Sequence, residues 1–360
     1  MSAAVYEALP ARVVFGAGSV ARLAEESEHA GLRRVLVLST STQRELADHA
    51  TAVLGSRAVG VFERARRHVP LATVTDAAEV ATGLGADGCV AAGGGSTIGL
   101  AKALALRAGL PYVALPTTYA GSEMTPVWGI TEDSRKRTGR DRSVLPRAVV
   151  YDPELTATVP AAVAVTSGLN AIAHAVEALY APDTSPPVAA MAERGIRDLA
   201  TALPVLGNGT PDAAARAAAL QGAWLCGACL GATTMGLHHK LCHVLGGMLD
   251  LPHAETHAVL LPHVAAFTLP AAPDAAAAVS RALDAPAAVT ALHELVTKLG
   301  APTGLAELGV TRAQLRAVVE EALAAPYANP RPAGRQDLAD LLEAAWSGTL
   351  SRGVGAEDTI

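Results

Sequence analysis

Six short apolar runs in the first 150 residues, most of them closing on a polar or glycine-bearing turn, constrain this chain more than any other feature. They fall at 12–16, 35–38, 57–62, 88–92, 112–115 and 149–151, with helical stretches at 19–28, 73–84 and 97–107 between them. A short apolar run bounded by turn signals suits a strand buried on both faces, and strands alternating with helices build a parallel sheet. The polar, basic segment 131–146 reads as a loop or hairpin. Past Asp152-Pro153 the chain changes character, and 161–350 reads as almost wholly helical, the Ala-rich stretch 271–290 included. The expected architecture is an α/β domain at 1–155, an all-α domain at 156–352 and a frayed tail at 353–360. No internal repeat is visible.

Composition narrows the function classes. A net charge of −6 argues against a broad footprint for nucleic acid or an anionic membrane. No uninterrupted apolar run is long enough to span a bilayer, and the N-terminus lacks the basic start and apolar core of a signal peptide. Four cysteines are too few for a disulfide framework in 360 residues, so a reducing cytoplasm is expected. Cys226 and Cys229 stand alone in an Ala-rich helical run and read as small buried residues rather than a metal pair.

Two features carry chemistry. Gly93-Gly94-Gly95-Ser96 leaves an expected strand and enters an expected helix. Glycines there let the backbone approach a phosphate, and the helix N-terminus adds a favourable dipole. The turn is neither a G-x-G-x-x-G fingerprint nor a Walker A loop. A second polar turn at 116–123 leaves the next strand, and in a parallel sheet both turns border one crevice. The other feature is histidine density: six of the eleven lie between 236 and 263. His239 and His243 are four apart, as are Asn170 and His174, so each pair shares a helix face. Gly246-Gly247 is expected to end the first of these helices, with His253 on a turn or at the start of the next. Such density suits acid/base work or metal binding better than mere nucleotide binding. The spacing His239-Lys240-Leu241-Cys242-His243 lacks the Glu of a zinc-protease motif.

GGGST at 93–97, PTTYAGSE at 116–123, SGLNAIAHAVE at 167–177, HHKLCHVLGG at 238–247 and LPHAETHAVLLPH at 251–263 together resemble the group III, iron-containing alcohol dehydrogenases. More closely they resemble that family's maleylacetate reductase branch, over nearly the whole chain. The resemblance implies the dehydroquinate synthase-like fold: an α/β dinucleotide-binding domain, an all-helical catalytic domain, a cleft between them for the nicotinamide, and a homodimer. It places NADH or NADPH at Gly93, Gly94, Gly95, Ser96, Thr117, Thr118 and Ser122, with Thr40 beside the adenosine ribose. It matches the metal positions of the iron enzymes to Asn170, His174, His239 and His253.

Three departures bear on the chemistry. Asn170 stands where the iron enzymes have Asp, and three neutral imidazoles with an amide leave a dication uncompensated, so no metal is expected; if one binds, it is at His174, His239 and His253. Thr40 replaces an Asp that would repel a 2′-phosphate, so NADPH is expected to be tolerated. Gly99 replaces a further Asp. The implied reaction is reduction of the C=C bond of 2-maleylacetate to 3-oxoadipate in aromatic catabolism, with a metal-dependent alcohol dehydrogenase as the alternative and a non-catalytic nucleotide-binding module as a reading of another class. His243 and His253 are expected to donate the proton or stabilise the enolate. His174, His239, His257 and Asn170 are expected to line the pocket, and Tyr119 to face the substrate. Lys136, Arg137, Arg140 and Arg331 are candidates for its two carboxylates.

Overall fold

The computed structural model describes residues 6, 9, 12–132, 135–210 and 212–350. The tail expected at 353–360 lies outside them. Two compact units divide the chain, with the passage from one to the other at Pro160, where 155/156 was expected.

The first unit is built on β1 (Arg12–Phe15), α1 (Leu23–His29), β2 (Val35–Leu38), α2 (Arg44–Leu54), β3 (Ala58–Phe62), α3 (Leu71–Gly83), β4 (Gly88–Gly93), α4 (Gly95–Ala108), β5 (Tyr112–Pro116), β6 (Val127–Glu132), β7 (Arg135–Arg140) and β8 (Ala148–Tyr151). Six strands form one sheet in the order β1-β8-β5-β4-β2-β3, and its pairings are parallel. Both faces are covered. Val35, Val37, Val90, Ala92, Val113 and Leu115 pack with Ala47, Ala50 and Leu54 of α2 in one core cluster. The alternate residues Leu36, Leu38, Cys89, Ala91 and Ala114 are equally buried, which is why these strands read as unbroken apolar runs. After β3 the chain returns to the other side of β2, so the order reverses between β2 and β4. Ligands of open parallel sheets bind at such a switch point, beyond the strands' carboxyl ends. The segment read as a loop or hairpin is a hairpin: β6 and β7 pair antiparallel from Val127↔Arg140 to Glu132↔Arg135, apart from the main sheet.

The second unit is helical: α5 (Ala161–Leu179), α6 (Pro186–Gly207), α7 (Ala213–Ala232), α8 (Leu237–Leu249), α9 (His253–Thr268), α10 (Pro273–Leu283), α11 (Ala288–Lys298), α12 (Arg312–Leu323) and α13 (Arg335–Ser347). The start of α7, through Leu220, belongs to the sheet unit instead. By length and hydropathy α5 could cross a membrane, which the sequence reading did not anticipate. Its most apolar window is 89% buried, as befits a core helix, and α5 packs against α6 and α9. Leu237, Leu241 and Leu245 of α8 join Val259, Leu260 and Val264 of α9 and Leu338, Leu341 and Leu342 of α13 in one cluster.

Two helix ends differ from expectation. α8 continues through Gly246 and Gly247 because Leu249, one turn on, packs against that cluster. Asp250, at φ 53, then turns the chain so that Leu251 joins the same core. The Ala-rich stretch is helical only to Leu283; Asp284 takes a left-handed conformation and Pro286 follows, so α11 starts afresh.

The cysteines expected to be small buried residues are free and buried. Cys226 lies where α6 and α7 nearly touch: a Cβ on Gly195 would come within 2.7 Å of its Sγ and 3.1 Å of the Gly222 carbonyl. Gly195→Leu is therefore expected to destabilise the protein by about 1–3 kcal/mol, the usual cost of overpacking, read as a lower denaturation midpoint. A midpoint equal to the parent's would mean that this crossing is not tight.

Candidate functional site

The glycine turn closes β4 and opens α4. Gly93 has φ 152, and a Cβ there would lie 2.5 Å from Thr97 Oγ1 and 2.7 Å from Gln43 Oε1; one on Gly94 would lie 2.8 Å from Thr118 Cγ2. Gly95 faces open space. No side chain caps α4 at Gly94, so the first N–H groups of the helix stay available to an anion. Thr97 Oγ1 is buried without a protein partner. An open face, uncapped amides and an orphaned hydroxyl fit a dinucleotide pyrophosphate. Gln43 Nε2 donates to Thr117 Oγ1 at 2.9 Å, tying the turns after β2 and β5 together beside Gly93. Thr40, just past β2, forms a bridge with Arg64.

Ser122 is held from below. Lys102, in the apolar run of α4, is 3% exposed and donates from Nζ to Ser122 O at 2.6 Å, Thr125 O at 2.9 Å, Thr125 Oγ1 at 3.0 Å and Val127 O at 2.7 Å. Burial lowers its pKa to about 7, partly opposed by the Glu123 carboxylate. Glu123 accepts from Tyr151 at 2.6 Å, and burial pushes its own pKa up. Tyr119, expected to face the substrate, is 1% exposed, and its hydroxyl donates to Thr156 Oγ1 at 3.0 Å. Of the cations considered for substrate carboxylates, Lys136, Arg137 and Arg140 lie on β7. Arg137 is 3.5 Å from Glu132. Arg331 belongs to the helical unit, where it pairs with Asp337 at 2.9 Å and lies over the Phe267 ring.

The histidines converge in the helical unit. His174 comes from α5, His238, His239 and His243 from α8, and His253 and His257 from α9. His174 Nδ1 and His239 Nε2 are 2.9 Å apart. His239 Nδ1 meets Glu177 Oε2, and Glu177 Oε1 accepts from the backbone N–H of His238 at 2.8 Å. His238 Nε2 and His257 Nδ1 are 2.9 Å apart. The rings of His253 and His257 are 4.5 Å apart, and those of His239 and His243 are 6.2 Å apart. Exposure is graded: His253 is exposed and His243 half-buried, whereas Asn170, His174, His239 and His257 are buried.

Neither Glu177 nor His238 was singled out from the sequence. Glu177 had a signal: Asn170, His174 and Glu177 follow the i, i+4, i+7 spacing of one helix face. Burial alone would raise its pKa, but His239 and the N-terminal end of α8 hold it down to about 2. A carboxylate only accepts, so His239 Nδ1 carries the proton. With His239 neutral, its Nε2 accepts from His174 Nδ1, and His174 Nε2 keeps a lone pair. A proton taken up there leaves both bonds in place and puts a positive charge on the imidazole pair, which the ionised Glu177 balances, so the three groups form a relay. Burial lowers the pKa of His238 to about 3 and holds that of His257 well below the usual imidazole value.

In the cluster two sets of donors could converge on one ion, His238, Cys242 and His257 and, near the positions expected from the sequence, His174, His239 and His257, the ligand atoms of each set within 4.8 Å of one another. His257 thus takes the place expected of His253. Three imidazoles can hold a divalent transition metal, but here the facing nitrogens of His174 and His239 lie 2.9 Å apart and satisfy each other. Asn170 Oδ1 and His257 Nε2 are buried without a protein partner.

Known proteins match along nearly the whole chain. The model of the iron-containing alcohol dehydrogenase family matches residues 10–153, and that of the family's C-terminal region matches 164–346. A maleylacetate reductase of Sphingobium indicum is 53% identical over 344 residues, covering 96% of this chain and 97% of that one. One from Burkholderia cepacia is 51% identical over 348 residues, covering 97% and 99%. The crystal structure of maleylacetate reductase from Agrobacterium tumefaciens superposes with a TM-score of 0.93 at 49% identity, covering 98% of this chain and all of that one. With matching models over both units and relatives at half identity, this chain belongs to the iron-containing alcohol dehydrogenase family.

Proposed function

We propose that this oxidoreductase uses NADH or NADPH to reduce the C=C bond of 2-maleylacetate to 3-oxoadipate, in the cytoplasm. The observation that carries the reading is identity of 48–53% over 94–97% of the chain to proteins named maleylacetate reductase. The geometry supports it. The reduced nicotinamide, when bound, supplies a hydride to the alkene carbon β to the ketone. What remains for the protein is an enolate that needs hydrogen bonds and a proton at carbon. His243 and His253 are the cluster's accessible imidazoles, and in this reading they present that proton. Behind them, the His174–His239–Glu177 relay can take up a proton at His174, with the negative carboxylate offsetting the charge gained. Asn170 offers an amide, which can turn its Nδ2–H₂ toward the enolate oxygen. Arg331 and the cations of β7 are candidates to hold the substrate's two carboxylates.

An enolate is a weaker base than the alkoxide of an alcohol dehydrogenase and depends less on a Lewis acid. A donor set without a carboxylate suits that easier task, so we propose turnover without a metal. The close approach of His174, His239 and His257 favours the second reading, a metal-dependent alcohol dehydrogenase. Chelator-dialysed protein should still oxidise NADH or NADPH on adding maleylacetate and should act poorly on simple aldehydes. Activity lost on chelation and restored by iron or zinc would decide for the second reading.

His243→Ala and His253→Ala are each expected to lower kcat by about 10²-fold or more, within the range of general acid–base catalysis, with coenzyme binding retained. Unchanged turnover in both variants would remove the proton-donor assignment.

The buried ionisable groups also set an acid limit. His238 and His263, with folded pKa values of about 3 and 4 against 6.5 unfolded, take up protons on unfolding below pH 6.5. Their contribution is complete above that pH and is lost as pH falls toward 3. Glu177, at about 2 against 4.5, adds a second loss below pH 4.5. The melting temperature should therefore decline from pH 6.5 downward, and less steeply in His238→Gln. Equal slopes would show that His238 is not held neutral.

A further inference from the structure

We propose that Arg64, opposite Thr40 at the carboxyl edge of the sheet, receives the 2′-phosphate of NADPH. The inference rests on the reading that a dinucleotide binds at this edge. At the switch point, the adenosine ribose falls by the end of β2, where a carboxylate accepts from the ribose diol and repels a phosphate. Here Thr40 holds that position and pairs with Arg64 across an antiparallel bridge. Residues directly opposite send their side chains from the same face, with Cβ atoms about 4.5–5.5 Å apart. The Thr40 hydroxyl lies 3.1 Å from Thr42 Oγ1 and 3.4 Å from Gln43 Oε1. Gln43 Oε1 in turn crowds Gly93. A polar floor thus runs from Arg64 to the glycine turn.

Arg64 is positioned and available. Its guanidinium lies 4.8 Å from the Phe62 ring centroid. Its ion pair with Asp76 is 3.6 Å long, with both side chains more than half exposed, so an incoming dianion can displace it. A phosphate offers the planar guanidinium a bidentate partner in exchange. The nearby acids Asp48 and Glu63 are engaged by Arg44, at 2.9 and 2.8 Å. Arg66 and Arg67 are exposed and add positive charge.

The segment that carries Arg64 is built rather than loose. Ser39 N donates to Phe62 O at 2.9 Å, and Ala65 N to Ser39 O at 3.1 Å. His68 and Val69 adopt φ 59 and 48, a strained choice for a β-branched residue. Thr131 holds both, its Oγ1 donating to His68 O at 2.7 Å and its N to Val69 O at 3.0 Å. Val69 Cγ2 would lie 2.7 Å from a Cβ on Gly99. The glycine that replaces an Asp of the iron enzymes therefore lets this arginine-bearing segment close onto α4. Thr40 and Gly99, two separate departures in the sequence, act on one subsite.

The test has a binding arm and a kinetic arm. By calorimetry, the wild-type protein should bind adenosine 2′,5′-bisphosphate more tightly than AMP. Arg64→Ala should cut that difference by about 10- to 100-fold, as expected for losing hydrogen bonds to a charged group, and Arg64→Lys should restore part of it. The ratio of kcat/KM for NADPH over NADH should fall in parallel. No wild-type preference for the bisphosphate, or an Arg64→Ala loss equal for both ligands, overturns the assignment. A preserved binding difference in a protein that oxidises neither coenzyme with maleylacetate would support Arg64 and sink the reductase reading instead.

Discussion

The carboxylate of Glu177 is what the helical unit is arranged around. It is fully desolvated, and a buried charge persists only where its hydrogen bonds are supplied. They come from the first turn of α8, whose amide at His238 points at Oε1, and from the His239 ring at Oε2. Gly236 makes room: a Cβ there would lie 3.1 Å from the same carboxylate and 2.6 Å from the Ala328 carbonyl. One side chain thus caps α8, joins it to α5 and decides which nitrogen of His239 carries a proton. Removing it would leave uncapped amides and an imidazole free to choose its tautomer.

Much of the architecture was legible because burial on both faces leaves a plain record. The strands at 35–38, 88–93 and 112–116 are unbroken apolar runs, and the turn at Gly93 marks the switch in direction. The glycine pair at 246–247 misled because a helix end is decided by what packs beyond it, here Leu249 and Leu251, rather than by propensity alone. In the cluster, spacing along each helix was legible but rotation between helices was not. His253 and His257 share a face of α9, and only packing against α5 and α8 decides that His257 points inward. Tyr119 stands within a polar turn, yet its hydroxyl is turned inward to Thr156.

Lys102 shows the same limit in the other unit. In the sequence it is one basic residue in an Ala/Leu helix; in the fold its three N–H groups serve four oxygens at and just after the turn that follows β5. A charged side chain in an apolar helical run is costly enough to need a reason, and for both Lys102 and Glu177 the reason is a backbone segment beside candidate residues of its own unit. Hydrophobic packing would hold such a segment without specifying its carbonyl and amide directions. A buried charge specifies them, because every misdirected group leaves it unpaired.

The placement of charge also bears on what the cluster can do. The carboxylate of Glu177 lies behind His239, while the position closer to the N-terminus of α5 holds the neutral Asn170. A carboxylate at Asn170 would face an ion directly and favour a dication. A carboxylate behind an imidazole instead favours a single positive charge on the ring in front of it, which a proton supplies. With its negative charge behind His239 and a neutral amide at Asn170, the cluster has the arrangement that the proposed proton-handling role calls for.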